Sequence, residues 1–143
     1  MSRNIRIIIL LVITSCTFLS CNKAGSSDSV KFQQYYAQGE NLFIANCSNC
    51  HQRSGEGLGL VYPPVNKSDY IDKKFPEVIC LIRNGKRGAI MVNGQEYNQP
   101  MYGMSNVTDL EMAELATYIY NTWDHNRGIV EVNEIQKALE SCR

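Results

Sequence analysis

Residues Cys47-Ser48-Asn49-Cys50-His51 place two thiols three positions apart and follow them at once with an imidazole. This is the attachment sequence for c-type haem. Two thiols at this spacing at a helix end can each add to one vinyl group of the porphyrin and form a thioether. The His51 side chain then lies over the ring face, where its Nε2 can bind the iron. The motif therefore predicts one covalently held haem c with His51 as an axial ligand.

Three other interpretations of Cys47 and Cys50 stay open, and the surrounding sequence weighs against each. A thioredoxin-like redox pair needs a βαβ context, whereas this motif follows a helical pattern and precedes a loop rich in glycine and proline. A zinc site needs a second Cys/His pair, and the remaining cysteines and His125 are scattered. A disulfide between the two thiols leaves His51 unexplained.

The composition is that of a single globular domain. A chain of 143 residues is long enough for one domain, and 44% hydrophobic with 20% charged residues fits a folded core. Lys+Arg and Asp+Glu are balanced at 14 each, and the pI is near 6.7. This balance argues against a nucleic-acid partner, because such proteins usually carry a strongly basic face.

The N-terminus has the pattern of an export signal. Arg3 and Arg6 precede a short apolar run over residues 7–13, and small residues follow. The run is too short for a transmembrane helix, which needs about 20 apolar residues. We therefore expect residues 1–20 to be a signal peptide.

Phe18-Leu19-Ser20-Cys21 resembles a bacterial lipobox, which predicts a lipoprotein signal peptide and a lipid on Cys21. Cys16 is a weaker second candidate, and an ordinary cleaved signal with an unused cysteine is the alternative. Residues 21–29 are then a flexible tether, and the protein is held by lipid at the periplasmic side of a bacterial membrane, where disulfides form.

The remaining chain is predicted to be mostly α. Gly39 lies within a helical pattern at a cost of about 1 kcal/mol relative to alanine, which suggests a close backbone approach; a tolerated weak position is the alternative. Thr108 and Glu111 form a capping box. The expected elements are a helix over about 30–46, a loop over 54–66, a helix over 75–82 and a hairpin over 89–97 turning at Asn93-Gly94. They are followed by a helix that starts at the capping box and is ended by Asn126-Arg127-Gly128, and by a short helix over 133–141.

The order of these motifs resembles a small class I cytochrome c domain. The matching segments are Gly39-Glu40-Asn41-Leu42-Phe43, Cys47-Ser48-Asn49-Cys50-His51, Tyr62-Pro63-Pro64, Met101, and Thr108-Asp109-Leu110-Glu111 leading into Leu115-Ala116-Thr117-Tyr118-Ile119. The resemblance covers about residues 30–124, predicted to be the cytochrome c domain, and leaves 125–143 as a C-terminal helical extension. It implies that the first and last helices of the domain cross over the haem, with Gly39 and Phe43 against Leu115 and Tyr118.

The resemblance also implies a methionine as the second iron ligand. Met101 lies eight residues before Asp109, an interval similar to that in the family, although Pro100-Met101 departs from the usual Met-Pro order. Met104, five residues before Asp109, is the alternative. A carbonyl of Pro63 or Pro64 is implied as the hydrogen-bond acceptor for His51 Nδ1.

Cys80 and Cys142 are the two cysteines left over, and Cys142 falls on the apolar side of the predicted terminal helix. In an exported chain, this predicts a disulfide that ties the helix to the body of the domain. Two buried free thiols are the alternative.

Axial positions filled by His51 and Met101 raise the reduction potential and leave no free site on the iron. The expected function is single-electron transfer between membrane-associated redox proteins, such as a membrane-bound donor and a terminal oxidase or reductase, with no catalytic residues. One alternative is a haem enzyme or a gas- or peroxide-binding protein with an open distal site. The other is a non-catalytic electron-transfer subunit of an oxidase or reductase. The only other histidine, His125, lies at the far end of the last predicted domain helix, which disfavours the enzyme.

Overall fold

The computed structural model describes residues 27–142. The predicted signal peptide, Cys21 and most of the predicted tether therefore lie outside the described residues. The chain divides into two units, Met1–Val30 and Lys31–Arg143, and the account below concerns the second unit together with the helical residues 27–30. Within the described range, none of the helices is both long enough and apolar enough to cross a membrane.

Helices dominate the described residues, so the predicted mostly α class is confirmed. The helices are α1 (Ser27–Asn46), α2 (Ser48–His51), α3 (Asp69–Lys73), α4 (Phe75–Asn84), α5 (Asp109–Ile119) and α6 (Val132–Glu140). The strands are β1 (Gly85–Lys86), β2 (Ile90–Val92), β3 (Gln95–Tyr97) and β4 (Met101–Tyr102). They form two antiparallel pairs, β1 with β4 and β2 with β3.

Some boundaries differ from those predicted. Helix α1 begins at Ser27 rather than Val30, so residues 27–29 of the predicted tether are helical, and Asp28 in the first turn favours a helix start. Helix α5 ends at Ile119 rather than at the predicted Asn126-Arg127-Gly128. The backbone of Trp123 has a φ of 61°, which a continuing α-helix does not allow.

Helices α1 and α5 meet at Gly39. A Cβ on this residue would lie 2.0 Å from the carbonyl oxygen of Glu114 and 2.8 Å from the Cβ of Tyr118. Phe43, one turn later, is buried, and its ring centroid lies 5.5 Å from that of Tyr118 and 5.6 Å from that of Trp123. The helix crossing expected from the sequence is thus present, and the mid-helix glycine is explained by it.

The predicted C-terminal extension is part of the core. Helix α6 packs against both α4 and α5 and buries Ile135 and Ala138. Before it, buried Val130 donates its backbone N–H to Thr117 Oγ1 at 3.0 Å. Cys80 and Cys142, 62 residues apart in sequence, form the expected disulfide.

Gly39→Ala should destabilise the protein by about 1–3 kcal/mol, because the added methyl group clashes with the backbone of α5. In an uncrowded helix the same change would stabilise by about 0.5–1 kcal/mol, so the sign of the effect is diagnostic. Denaturant unfolding of the haem-loaded protein measures it, with exposed Gln38→Ala as the control within the same helix. A stabilised Gly39→Ala protein would contradict the close approach.

Replacing Cys80 and Cys142 together by serine should lower the free energy of unfolding by about 4 kcal/mol, because the disulfide closes a long loop in the unfolded chain. Denaturant unfolding with and without a reductant measures this loss. Reductant should reproduce it in the parent protein and have no effect on the double variant. The predicted loss is wrong if a reductant is shown to cleave the disulfide but does not lower the free energy of unfolding of the parent protein.

Candidate haem site

A cavity of about 220 Å³ opens between the motif helix, the loop that follows it, α4 and the β-strands. All six residues predicted for the site line it, as does the alternative Met104; they are Cys47, Cys50, His51, Pro63, Pro64, Met101 and Met104. Much of the wall is apolar and comes from Val65, Ile71, Val78, Ile82, Val92 and Ile119. The structure therefore brings the predicted groups together around one space.

The attachment motif forms a single helical turn. Cys47 N donates to the Phe43 carbonyl at 2.8 Å, and His51 N donates to the Cys47 carbonyl at 2.9 Å. Cys47 and Cys50 are both free thiols lining the cavity. The short α2 turn thus presents two sulfurs and one imidazole to the same space.

The thiol of Cys47 is poorly suited to dithiol redox chemistry. Burial raises the pKa of Cys47 to about 12, and the charge of Cys50 adds to the rise. Reactive dithiols need a lowered thiol pKa instead. The structure therefore weighs against a thioredoxin-like function for this pair.

His51 is held in one tautomer. Its Nδ1 lies 2.9 Å from the Pro63 carbonyl oxygen, and a carbonyl can only accept, so Nδ1 carries the proton and donates. Burial lowers the pKa of His51, while the bond to Pro63 acts in the opposite direction. The neutral ring leaves the lone pair of Nε2 free to bind a metal. Of the two prolines considered, the acceptor is Pro63; Pro64 lines the cavity without that bond.

The loop after the motif is shaped around the Pro63 carbonyl by Gly57. Gly57 has a φ of 72°, and a Cβ there would lie 2.2 Å from the Tyr62 carbonyl oxygen and 2.6 Å from that of Pro63. Gly57 N also donates to the His51 carbonyl at 2.9 Å. From the sequence, the glycines of this loop can be recognised only as residues that favour a loop. The close contact at Gly57 involves Tyr62 and Pro63, which lie five and six positions later, so the residues next to Gly57 do not predict it.

The same loop rests on the turn after α5. A Cβ on Gly55 would lie 2.6 Å from the ring of Trp123. Gly55 O accepts from Val65 N at 2.7 Å and from Asn66 N at 3.0 Å. These contacts tie both ends of the loop together beneath the cavity.

Met101 and Met104 are held against the end of α4. Met104 N donates to the Ile82 carbonyl at 2.8 Å. A Cβ on Gly85 would lie 2.5 Å from the Met101 carbonyl oxygen, and a Cβ on Gly103 would lie 2.5 Å from the carbonyl carbon of Asn84. No regular element is predicted for this segment from the sequence; in the structure it contains β4, whose pairing with β1 positions Met101.

The groups around the cavity fit a covalently attached haem. Two free thiols, a neutral imidazole with an open Nε2, two thioether sulfurs and an apolar wall face one space. A structural zinc site is disfavoured, because residues 27–142 contain no cluster of three metal-binding His, Cys, Asp or Glu side chains. His125 is bound elsewhere, to the Val65 carbonyl and to Asp72.

Comparison with known proteins agrees with this geometry. The family described as Cytochrome c matches residues 36–123, more than half of the chain. Cytochrome c-552 of Thermus thermophilus is 29% identical over 91 residues, which cover 61% of this chain and 69% of that protein. For a second cytochrome c-552 of the same species the identity is again 29% over 91 residues, with 61% of each chain covered.

A third relative is a subunit of a larger assembly. The cytochrome c subunit of the quinone alcohol dehydrogenase of Gluconobacter oxydans strain 621H is 26% identical over 103 residues. The match covers 69% of this chain but only 21% of that subunit. Because the family match spans the attachment motif, the loop and the methionine segment, the chain belongs to the cytochrome c family, whose members transfer electrons by means of haem c.

Proposed function

We propose that this protein carries single electrons through one haem c attached at Cys47 and Cys50, with His51 and Met101 as the iron ligands. The observation that carries the proposal is the neutral His51 ring, held at Nδ1 by Pro63 with Nε2 free, in a cavity that methionine side chains also line. The bound haem supplies a one-electron couple. The protein acts by holding that group rigidly and away from water.

Each part of the wall contributes to this function. The two thiols provide covalent retention, which a small chain with an open cavity needs. The bond from His51 Nδ1 to Pro63 fixes the ring and makes it a stronger donor at Nε2. The apolar side chains lower the local dielectric and exclude water from the ligand bonds.

Met101 is the better candidate for the second ligand. It lies in β4, paired with Lys86 of β1, and its carbonyl packs directly against Gly85. These contacts fix its backbone on the cavity wall. The interval from Met101 to the start of α5 also matches the family pattern. Met104 is the alternative.

An open-site haem enzyme is less well supported. His125 is the only histidine besides His51. It does not line the cavity, and both of its ring nitrogens are engaged elsewhere. The proposal therefore assigns no catalytic residue.

The proposed partners are other redox proteins. The N-terminal pattern supports export and a lipid on Cys21, which would restrict the carrier to a membrane surface and raise its effective concentration near a membrane-bound donor or acceptor. The similarity to a dehydrogenase subunit favours a second candidate function, that of a non-catalytic electron-transfer subunit within a larger oxidoreductase.

Met101→Ala should convert the six-coordinate, low-spin iron of the purified protein to a high-spin form and abolish the sulfur-to-iron charge-transfer band. Met104→Ala should keep both features, and exposed Met91→Ala serves as the matched control. Absorption spectra of the ferric and ferrous proteins test this. A parent protein that is already high-spin, and that binds carbon monoxide readily when reduced, would overturn the proposal in favour of the open-site alternative.

Gly57→Ala should raise the reduction potential and destabilise the protein, because the new methyl group displaces the Pro63 carbonyl and weakens the bond that makes His51 electron-rich. Gly59→Ala is the matched control: Gly59 also has a positive φ, of 53°, but nothing lies within 4 Å of an added Cβ. Potentiometric titration and denaturant unfolding measure both variants. Equal changes in the potential and the stability of Gly57→Ala and Gly59→Ala would show that backbone strain, and not the contact with Pro63, is responsible.

A further inference from the structure

The segment that carries Met101 and Met104 is attached to the end of α4 through its backbone. This methionine segment, residues 101–107, begins with β4, which pairs with β1 directly after α4. Met104 N donates to the Ile82 carbonyl at 2.8 Å. A Cβ on Gly103 would lie 2.7 Å from the Arg83 carbonyl oxygen, so the two backbones also touch there. The first four residues of the segment are therefore fixed by contacts of the main chain.

The far end of the methionine segment is held by the side chain of Arg83. Its Nη1 donates to the Val107 carbonyl at 2.5 Å, and its Nη2 donates to Asp109 Oδ1 at 2.8 Å. The Arg83 side chain is only 18% exposed, so solvent and salt screen these charge-assisted bonds little. Asp109 is the first residue of α5. One guanidinium thus joins the end of α4, the end of the methionine segment and the start of α5.

The second half of the methionine segment has few other supports. Ser105 and Asn106 are exposed, and residues 103–107, all within the part of the chain that the structure describes, belong to no helix or strand. A stretch with few buried contacts opens at a low cost in free energy, so one strong attachment has a large share in keeping it closed. Arg83 is not among the described residues that line the cavity, whereas Met101 and Met104 are. Its influence on an iron ligand must therefore act through the segment.

We infer that Arg83 is a positioning residue that keeps Met101 bound to the iron by closing the far end of the methionine segment. This inference rests on the proposed function, in which Met101 is the second ligand. An added ligand such as imidazole has to displace the Met101 sulfur. The bond from sulfur to iron breaks, a bond from an imidazole nitrogen to iron forms, and the iron stays ferric. The apparent affinity for imidazole is therefore limited by the fraction of molecules whose segment is open, and loss of Arg83 raises that fraction.

The test is a titration of the haem-loaded ferric protein with imidazole, followed by the loss of the sulfur-to-iron charge-transfer band. Arg83→Gln should tighten the apparent binding of imidazole by about tenfold or more, because a hydrogen bond to a charged group contributes at least the free energy of a tenfold change. Arg83→Lys should give an intermediate affinity, because a single ammonium cannot reproduce the planar fork that reaches two acceptors. If Arg83→Gln yields no folded protein, Arg83→Lys carries the same comparison.

Arg127→Gln is the matched control. Arg127 also binds a carboxylate at 2.8 Å, that of Glu134, but lies in the turn between α5 and α6. Its replacement should lower the free energy of unfolding in denaturant without changing the affinity for imidazole. In a Met101→Ala background, which has no sulfur to displace, Arg83→Gln should change the affinity little; binding is followed there by the change from a high-spin to a low-spin spectrum.

Native-state hydrogen exchange of the haem-loaded protein gives a second readout that needs no added ligand. The Met104 amide, bonded to the Ile82 carbonyl, should exchange faster in Arg83→Gln than in the parent protein. The Tyr120 amide, bonded to the Ala116 carbonyl at the far end of α5, should keep its rate. A merely structural ion pair would change both amides together, through the global stability.

Three results would overturn the inference. They are an equal affinity for imidazole in the parent protein and Arg83→Gln, an equal gain in Arg127→Gln, and an effect of Arg83→Gln that persists in full without Met101. Each leaves the proposed function intact as long as the parent protein is low-spin and shows the charge-transfer band. A parent protein without that band would overturn both the inference and the ligand assignment in the proposed function.

Discussion

The close approach of α1 and α5 at Gly39 is the constraint on which the cavity depends. Only a residue without a side chain lets the backbone of Glu114 come so near, and this brings the Phe43, Tyr118 and Trp123 rings together. Because α1 ends at the residue before the attachment motif, the crossing also determines where the two thiols lie. The same Trp123 ring supports the loop beneath the cavity. The absence of a side chain at Gly39 thus allows the helix crossing that positions both the motif thiols and the loop that orients His51.

The packing of α4, α5 and α6 compensates for the apolar surface that the open cavity leaves exposed. Apolar residues that line the cavity would face water if nothing filled it, which is unfavourable. The compensating packing comes from α6 against α4 and α5, reinforced by the disulfide between Cys80 and Cys142. The C-terminal segment is therefore a structural requirement of the site rather than an appendage, because α4 contributes both to the cavity wall and to the contact with α6.

Features encoded by a few adjacent residues could be predicted from the sequence. The capping box of Thr108 and Glu111 is present with both of its hydrogen bonds, and the hairpin turn has positive φ at Asn93 and Gly94. Features that depend on distant partners could not. The pairing of β1 with β4 joins Lys86 to Met101 across a hairpin. After the end of α5, Trp123 has a positive φ and its ring lies against Gly55, a contact that no local pattern records.

The site residues also divide into those that adjacent residues predict and those that depend on distant contacts. The thiols and His51 are contiguous, so their chemistry could be inferred at once, whereas the choice of Pro63 over Pro64 depends on which carbonyl Gly57 allows to approach the ring. From the sequence, His125 can be considered only as a ligand, because nothing near it in the chain suggests another partner. Its contact with Val65 spans 60 residues. Both Trp123 and His125 lie in the turn after α5, and both contact the loop that follows the motif, at Gly55 and at the Val65 carbonyl. The turn that follows the helix crossing therefore also supports the loop whose Pro63 carbonyl orients the ring of His51.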